Sequence, residues 1–264
     1  MKCPICYSES TDVKYALKDF NIMQCRNCDM IFSDYSGSVS YEDDYDWKED
    51  AVKPGSAKYS TFCDILADVF LAGKRSILDL GFGKADFLKL AYDNGFYTTG
   101  IDVSKYAVEC AKKKGLKSVY YGELKDIKFK ERFEVITMLD VIEHIPNVME
   151  TLKLVRKNLK DDGMLIIRTP NANSIYHSIA SFFYMFNLYK TVEIIYHKDH
   201  VYYFTRTTLV NLLRQSGFRK ISVKMNDQSE AFSTNPIIKF MVSIIRGIGK
   251  LTNKQHAMLV VARK

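Results

Sequence analysis

Four of the six cysteines stand in two equal spacings, Cys3-Pro-Ile-Cys6 and Cys25-Arg-Asn-Cys28. Each pair fits a tight knuckle, and two such pairs can close a tetrahedral thiolate site around Zn²⁺. Four thiolates leave no open coordination position, so a metal held by Cys3, Cys6, Cys25 and Cys28 would be structural. A redox pair is the rival for one Cys-x-x-Cys, but two at this separation in a reducing compartment favour zinc. A second group has acid–base character. It comprises Asp140-Val-Ile-Glu143-His144 and, further along, His200 in the run Tyr196-His-Lys-Asp-His-Val-Tyr-Tyr-Phe204. Imidazole titrates nearest neutral pH, which makes His144 and His200 candidate general bases. A structural alternative stands beside this: Glu143 caps the helix beginning near Asn147, and His144 bonds a neighbouring loop. Cys63 and Cys110 fall inside helical patterns and read as small core residues.

These groups need elements to hold them. The 18 residues between Cys6 and Cys25 suit a short hairpin with strands at Val13–Leu17 and Asn21–Gln24. A segment this small buries too little apolar surface to fold alone, so metal would supply its folding energy. Tyr41 to Trp47 and Lys53 to Ser56 read as irregular linker. From Ser76 onward, strands and helices alternate. Ser76-Ile-Leu-Asp-Leu-Gly-Phe-Gly83 is a buried strand running into a glycine turn, followed by a helix over Asp86–Asn94. Gly81 and Gly83 let the backbone bend tightly and approach a ligand. About 20 residues on, Thr99 to Val103 forms a strand ending at Asp102, whose carboxylate can accept ribose hydroxyls. Further strands follow at Val119–Leu124, Phe133–Leu139 and Met164–Arg168, with a helix over Asn147–Leu159 and a turn at Asp161-Asp-Gly163. Such alternation builds a parallel sheet that binds an adenosine-bearing cofactor at its carboxyl edge.

Taken in order, Asp79-Leu-Gly-Phe-Gly83, Gly100-Ile-Asp102, Gly122-Glu123, Leu139-Asp-Val-Ile-Glu-His144 and Leu159-Lys-Asp-Asp-Gly163 resemble the successive motifs of class I S-adenosylmethionine-dependent methyltransferases. The resemblance covers residues 60 to 225, with Ala85 where the family often has a third glycine. It implies that Asp79, Gly81 and Gly83 hold the amino-acid part of the cofactor and that Asp102 binds its ribose. Val103 would cover the adenine, Glu123 and Leu124 would meet its edge, and Asp140 would also border the cofactor. The implied fold is α/β and Rossmann-like: a seven-stranded, mostly parallel sheet with an antiparallel last strand, helices on both faces and a small N-terminal zinc ribbon. Domain boundaries follow at 1–35 for the ribbon, 36–58 for a linker and 59–264 for the methyltransferase domain, with a lid insertion near 174–196.

Methyl transfer from a sulfonium is an in-line displacement in which acceptor, methyl and sulfur are aligned and the acceptor loses a proton. Asp140, Glu143, His144 and His200 resemble the ligand set of metal-dependent O-methyltransferases of ubiquinone synthesis and small-RNA 3′-end methylation. That resemblance implies a divalent ion that lowers the pKa of an acceptor hydroxyl. The ribbon joined to this domain, with His200 to Phe204 and Ser216-Gly-Phe218, is also similar to methyltransferases of bacterial polysaccharide and sugar modification. The acceptor expected from it is a hydroxyl of a sugar or nucleotide sugar. Tyr202, Tyr203 and Phe204 would either stack on that acceptor or pack in the core. RNA 2′-O-methylation and C-methylation of a deoxysugar are the alternatives, and a non-catalytic zinc-ribbon adaptor is the non-enzyme rival.

The net charge of +7 hides an asymmetry, since residues 1–50 carry −6 and the remainder carries +13. Residues 214–264 hold 10 Lys/Arg against 2 Asp/Glu, a surface suited to nucleotide-linked substrates, RNA or acidic lipid. Met1 runs into Lys2-Cys3-Pro4 with no apolar stretch behind it, and no run is long enough to span a bilayer. The expected location is cytoplasmic. Ser174 to Ile195 reads as a helical lid. Ile237 to Lys250 reads as an apolar helix with basic residues, packed on the sheet or lying at a membrane bearing glycolipid.

Overall fold

The computed structural model describes residues 1–35, 52–226 and 236–264; the aromatic linker run Tyr41–Trp47 lies outside them. The N-terminal strands are β1 (Thr11–Ala16), β2 (Asn21–Cys25) and β3 (Ile31–Ser33). Helix α1 (Ala57–Leu71) follows, capped by Ser56, whose hydroxyl accepts from the Tyr59 amide. The alternating half then runs β4 (Ser76–Leu80), α2 (Asp86–Asp93), β5 (Tyr97–Asp102), α3 (Lys105–Lys113), β6 (Val119–Tyr121), β7 (Phe133–Leu139), α4 (Val148–Asn158) and β8 (Leu159–Pro170). Beyond it lie α5 (Ile175–Met185), α6 (Tyr189–Ile195), β9 (Tyr202–Tyr203), α7 (Arg206–Gln215), β10 (Arg219–Asn226), α8 (Pro236–Leu251) and β11 (Ala257–Arg263).

The expected seven-stranded sheet forms, in the order β10-β11-β8-β7-β4-β5-β6. Its pairs are parallel from β8 to β6, while β11 runs antiparallel to both β8 and β10. Strand order reverses between β4 and β7, the switch point at which such sheets open a crevice for ligands. Residues in the central strands alternate between two cores. Ile77, Val135, Ile166 and Leu259 pack with α1 and α2. Leu78, Ile136, Ile167 and Val260 pack with α4 and α7 on the other face. Period-two alternation of apolar residues, buried both ways, is what a helix-covered sheet requires.

Two expectations are corrected here. Asp161-Asp-Gly163 is not a separate turn between elements; it lies inside β8. Leu159 pairs with Phe133, the register then slips, and Met164 pairs with Val135. The excursion is pinned by ion pairs from Lys74 to Asp162 and Lys264 to Asp161. Cys63 is exposed and Cys110 half-buried, so neither is a fully buried core residue. The buried face of α1 is Thr61, Phe62, Ile65, Leu66 and Val69, and Cys63 sits just off that stripe.

A second, four-stranded sheet has the order β1-β2-β3-β9. Its last strand comes from the segment after His200, so the N-terminal hairpin and the far half of the chain share one sheet. No helix among the described residues is long and apolar enough to cross a membrane.

Candidate active site

The carboxyl ends of β4, β5, β6 and β7 carry the residues singled out for the cofactor. Gly81 and Gly83 both take positive φ, 67° and 52°. A Cβ on Gly81 would lie 2.6 Å from Val141 Cγ2, so only glycine lets the β4 turn pack against the chain leaving β7. Ala85 also takes positive φ, 60°, and its buried methyl packs in a small cluster with Phe82, Leu88 and Ala107. Asp79 is fully buried and accepts a 2.6 Å hydrogen bond from the Thr137 hydroxyl. Burial, reinforced by the Asp102 charge and opposed by that bond, pushes its carboxyl up to about 7. Asp102 is fixed by two backbone donors, Gly83 N at 2.8 Å and Ser104 N at 2.9 Å. Val103 is exposed beside it. Glu123 pairs with Lys125 at 2.9 Å at the start of a short 3₁₀ turn, and Leu124 is buried there.

The acid and imidazole groups meet one strand over. Asp140 follows β7 in the left-handed region, φ 59°. Its amide donates to Arg168 O at 2.8 Å, and its carboxylate pairs with the buried Arg168 guanidinium. Glu143 lies in a 3₁₀ turn, Ile142–His144, and does not cap α4. Its Oε2 accepts from the Thr169 hydroxyl at 2.9 Å, and its Oε1 is buried with no protein partner. Burial foremost, then the Asp140 charge, pushes Glu143 up to about 8. His144 does bond a neighbouring loop: its Nδ1 lies 3.0 Å from Asp199 O. A carbonyl only accepts, so Nδ1 carries the proton and the lone pair sits on Nε2, the tautomer a base or ligand needs.

His200 stands edge-on to His144, with ring centroids 4.7 Å apart at 83°. Burial, then the neighbouring imidazoles, lowers His200 to about 2. Burial also lowers His144. Both rings are therefore neutral at physiological pH. Ligand atoms of Glu143, His144 and His200 all lie within 4.8 Å of one another; Asp140, turned to Arg168, is not in this group. Sequence reasoning missed the supporting roles of Thr137 and Arg168. An arginine at the end of an apolar strand was the available signal, because a buried cation needs a partner.

Tyr202 and Phe204 are core residues, each 1% exposed, and the Tyr202 hydroxyl donates to Pro146 O at 2.7 Å. At the other end of the chain the four cysteine sulfurs also lie within 4.8 Å of one another. Cys3 and Cys28 Sγ are 3.6 Å apart, and Cys6 and Cys25 Sγ are 3.5 Å apart. A tetrahedron with Zn–S bonds of about 2.3 Å has edges of about 3.8 Å, so the four thiols fit a zinc ion.

Sheet order, glycine turn and acidic strand ends together define a Rossmann-like α/β domain of the methyltransferase fold. Residues 56–223 match the sequence profile of a methyltransferase-domain family, Methyltransf_23, and the chain belongs to that family. The ubiquinone biosynthesis O-methyltransferase of Haemophilus ducreyi is 28% identical over 112 residues, 38% of this chain and 47% of that protein. That of Marinobacter nauticus is 29% identical over 131 residues, 46% of this chain and 55% of its own length. The chain thus spans about half the length of the curated relatives it matches. Among solved structures, an S-adenosylmethionine-dependent methyltransferase from Mesorhizobium loti superposes with a TM-score of 0.55 at 21% identity, covering 80% of this chain and 99% of that one. The plantazolicin methyltransferase BpumL, complexed with a triazolic desmethylPZN analogue and SAH, gives a TM-score of 0.53 at 19% identity, covering 80% of this chain and 86% of that one. These share the fold.

Proposed function

We propose that this chain transfers the methyl group of S-adenosylmethionine to a hydroxyl of a small acceptor, with a sugar or nucleotide sugar as the favoured class. The observation that carries this is the gathering of Glu143, His144 and His200, whose ligand atoms lie within 4.8 Å of one another, on the chain leaving β7, where Val141 packs against the Gly81 turn. The His144 imidazole, with its proton on Nδ1, can take the proton that an acceptor hydroxyl loses as it attacks the sulfonium methyl. His200, too weak a base at about 2, would orient the acceptor or act as a ligand beside it. Asp79 and Asp102 would hold the amino-acid and ribose parts of the cofactor, with Val103, Glu123 and Leu124 around the adenine. The relatives named as ubiquinone biosynthesis O-methyltransferases support oxygen as the accepting atom.

The same three side chains suit a divalent ion, since the orphaned Glu143 Oε1 and two imidazoles are a mixed O/N donor set. An ion there would lower the pKa of the acceptor hydroxyl. The cysteine cluster is read as a structural zinc site, with residues 1–35 as the ribbon, 36–58 as linker and the remainder as the methyltransferase domain with its lid near 174–196. Its reduced thiols fit a cytoplasmic protein. Helix α8 exposes Phe240, Ile244, Ile248 and Leu251 at helical spacing and contains no acidic residue beside Lys239, Arg246 and Lys250. Such a face suits peripheral contact with an anionic membrane carrying a glycolipid acceptor.

The test is transfer of labelled methyl from S-adenosylmethionine into cell extract, followed by separation into small-molecule, glycolipid and RNA fractions. Label in the first two supports the reading. Label confined to RNA replaces it with RNA methylation, and cofactor binding without any transfer favours an adaptor.

A further inference from the structure

The N-terminal cysteine module is joined to the rest of the chain through backbone, and the junction falls beside His200. Strand β3 begins three residues after Cys28, and β2 and β3 pair across that knuckle, with Ile22 opposite Ser33 and Gln24 opposite Ile31. Both knuckles close in the same way. Tyr7 N donates to Cys3 O at 2.9 Å and Asp29 N to Cys25 O at 3.0 Å, with Tyr7 and Asp29 each in the left-handed region at φ 58°. The free edge of β3 then receives β9, with Ile31 opposite Tyr203 and Phe32 opposite Tyr202. The contact extends one residue further: Ser33 N donates to Val201 O at 3.0 Å, and Val201 N donates to Glu143 O at 2.9 Å. Val201 is the residue after His200. A continuous line of hydrogen bonds therefore runs from the second cysteine knuckle, through β3 and Val201, to the backbone of Glu143.

The sheet is also gripped on both faces. Met23, Phe32 and Tyr202 point into the core that contains Ile142 and Val148. Ile22, Ile31 and Tyr203 point the other way, onto Ala180, Val192 and Tyr196 of the lid region. From β1, the Tyr15 hydroxyl lies 2.5 Å from the Ser181 hydroxyl, and Ala16 N donates to the Tyr184 hydroxyl at 3.0 Å.

We infer that the cysteine module is a positioning element for the acceptor side of the site: β3 is the template on which the His200–Phe204 segment folds, so the integrity of the four-thiol cluster sets the placement of His200 against His144 and Glu143. The inference rests on the proposed role of His200 but is separable from it, because the template can be measured without turnover. A two-residue strand such as β9 has too few hydrogen bonds to hold its own geometry, and β3 and the Glu143 carbonyl provide what it lacks.

The decisive variant is Ser33→Pro in the full chain, which deletes the N–H that holds Val201 O; Ser33→Ala keeps that N–H and is the control. Amide hydrogen exchange at Val201, Tyr202, Tyr203 and Phe204 is expected to rise at least about tenfold in the proline variant. Methyl-transfer turnover should fall at least about tenfold, with the dissociation constant for S-adenosylmethionine within about twofold of wild type. Ser33→Ala should change none of these. A second arm covers the case in which Ser33→Pro does not fold. In a Cys63→Ala background, the thiolate-bound metal is removed with a mercurial and chelator and its loss confirmed by metal analysis. The same four amides should then lose protection while amides of β4 and β5 keep theirs. Wild-type protection at Val201–Phe204 in either arm overturns the inference. His200→Ala separates the two claims: wild-type turnover in that variant defeats the proposed role of His200, and the exchange data still decide the template.

Discussion

The seven-stranded sheet carries its own support, while the four-stranded sheet is held from outside. Strands β4, β7 and β8 are covered on both faces by helices, and the glycine turn is tied to Asp102, 19 residues on, which is itself held by Ser104 N two residues away. The four-stranded sheet has strands of three and two residues at β3 and β9, an N-terminal thiol cluster at one end and helices α5 and α6 against one face. The glycine-turn side is thus a local construction, and the His200 side is assembled from residues up to 172 positions apart. Such a division lets one cofactor scaffold be paired with interchangeable acceptor walls.

The contrast can be broken most forcefully at His200. His200→Ala should lower turnover about a hundredfold or more while calorimetry finds cofactor affinity unchanged; a loss of both together would show that the two sides are one unit. Asp102→Ala is the reciprocal change. It removes an acceptor of two backbone bonds as well as the proposed ribose partner, and charge-assisted bonds contribute roughly 1.5–3 kcal/mol each. Cofactor affinity should therefore fall by at least about tenfold, with hydrogen exchange in β3 and β9 untouched.

A pH series sharpens the cofactor side further. Asp79 has its carboxyl raised to about 7 by burial, so its favourable contribution to folding is complete below the ordinary carboxylate range and is lost as pH rises through about 7. The ligand-free protein should accordingly lose stability between pH 5 and pH 8, roughly a few kcal/mol at most, and Asp79→Asn should flatten that slope in denaturant titrations. Cofactor affinity should move oppositely, rising as Asp79 ionises to meet the cofactor ammonium; an affinity flat from pH 6 to pH 8 would remove Asp79 from that role.

Smaller effects belong to the surface. Phe240→Ser with Ile244→Ser should reduce sedimentation with phosphatidylglycerol vesicles severalfold and leave turnover on a soluble acceptor unchanged; equal sedimentation of both proteins would sink the membrane contact. Cys63→Ala should shift stability by less than about 0.5 kcal/mol, because the thiol is exposed, and should abolish the fastest thiol-labelling step.

The elements that amino-acid order specifies here are those whose signal is local. The glycine turn, strands β4 to β8, the helix phases of α2 and α4 and the paired cysteine spacings all follow from period-two or period-3.6 burial and from ligand spacing within a few residues. Those signals placed Asp79 and Asp102 at strand ends and Glu143 and His144 just after the strand Phe133–Leu139, while His200 was located only within the run Tyr196–Phe204. What tertiary structure decided are the pairings between distant segments: Arg168 with Asp140, Thr169 with Glu143, and β9 with β3. Two-residue β9 carries no periodicity to read, and an exposed side chain such as Cys63 differs from a buried one by a single step around a helix. Whether His200 meets His144 depends on a strand edge 168 residues away, where hydrogen bonds unmade by one segment must be completed by another.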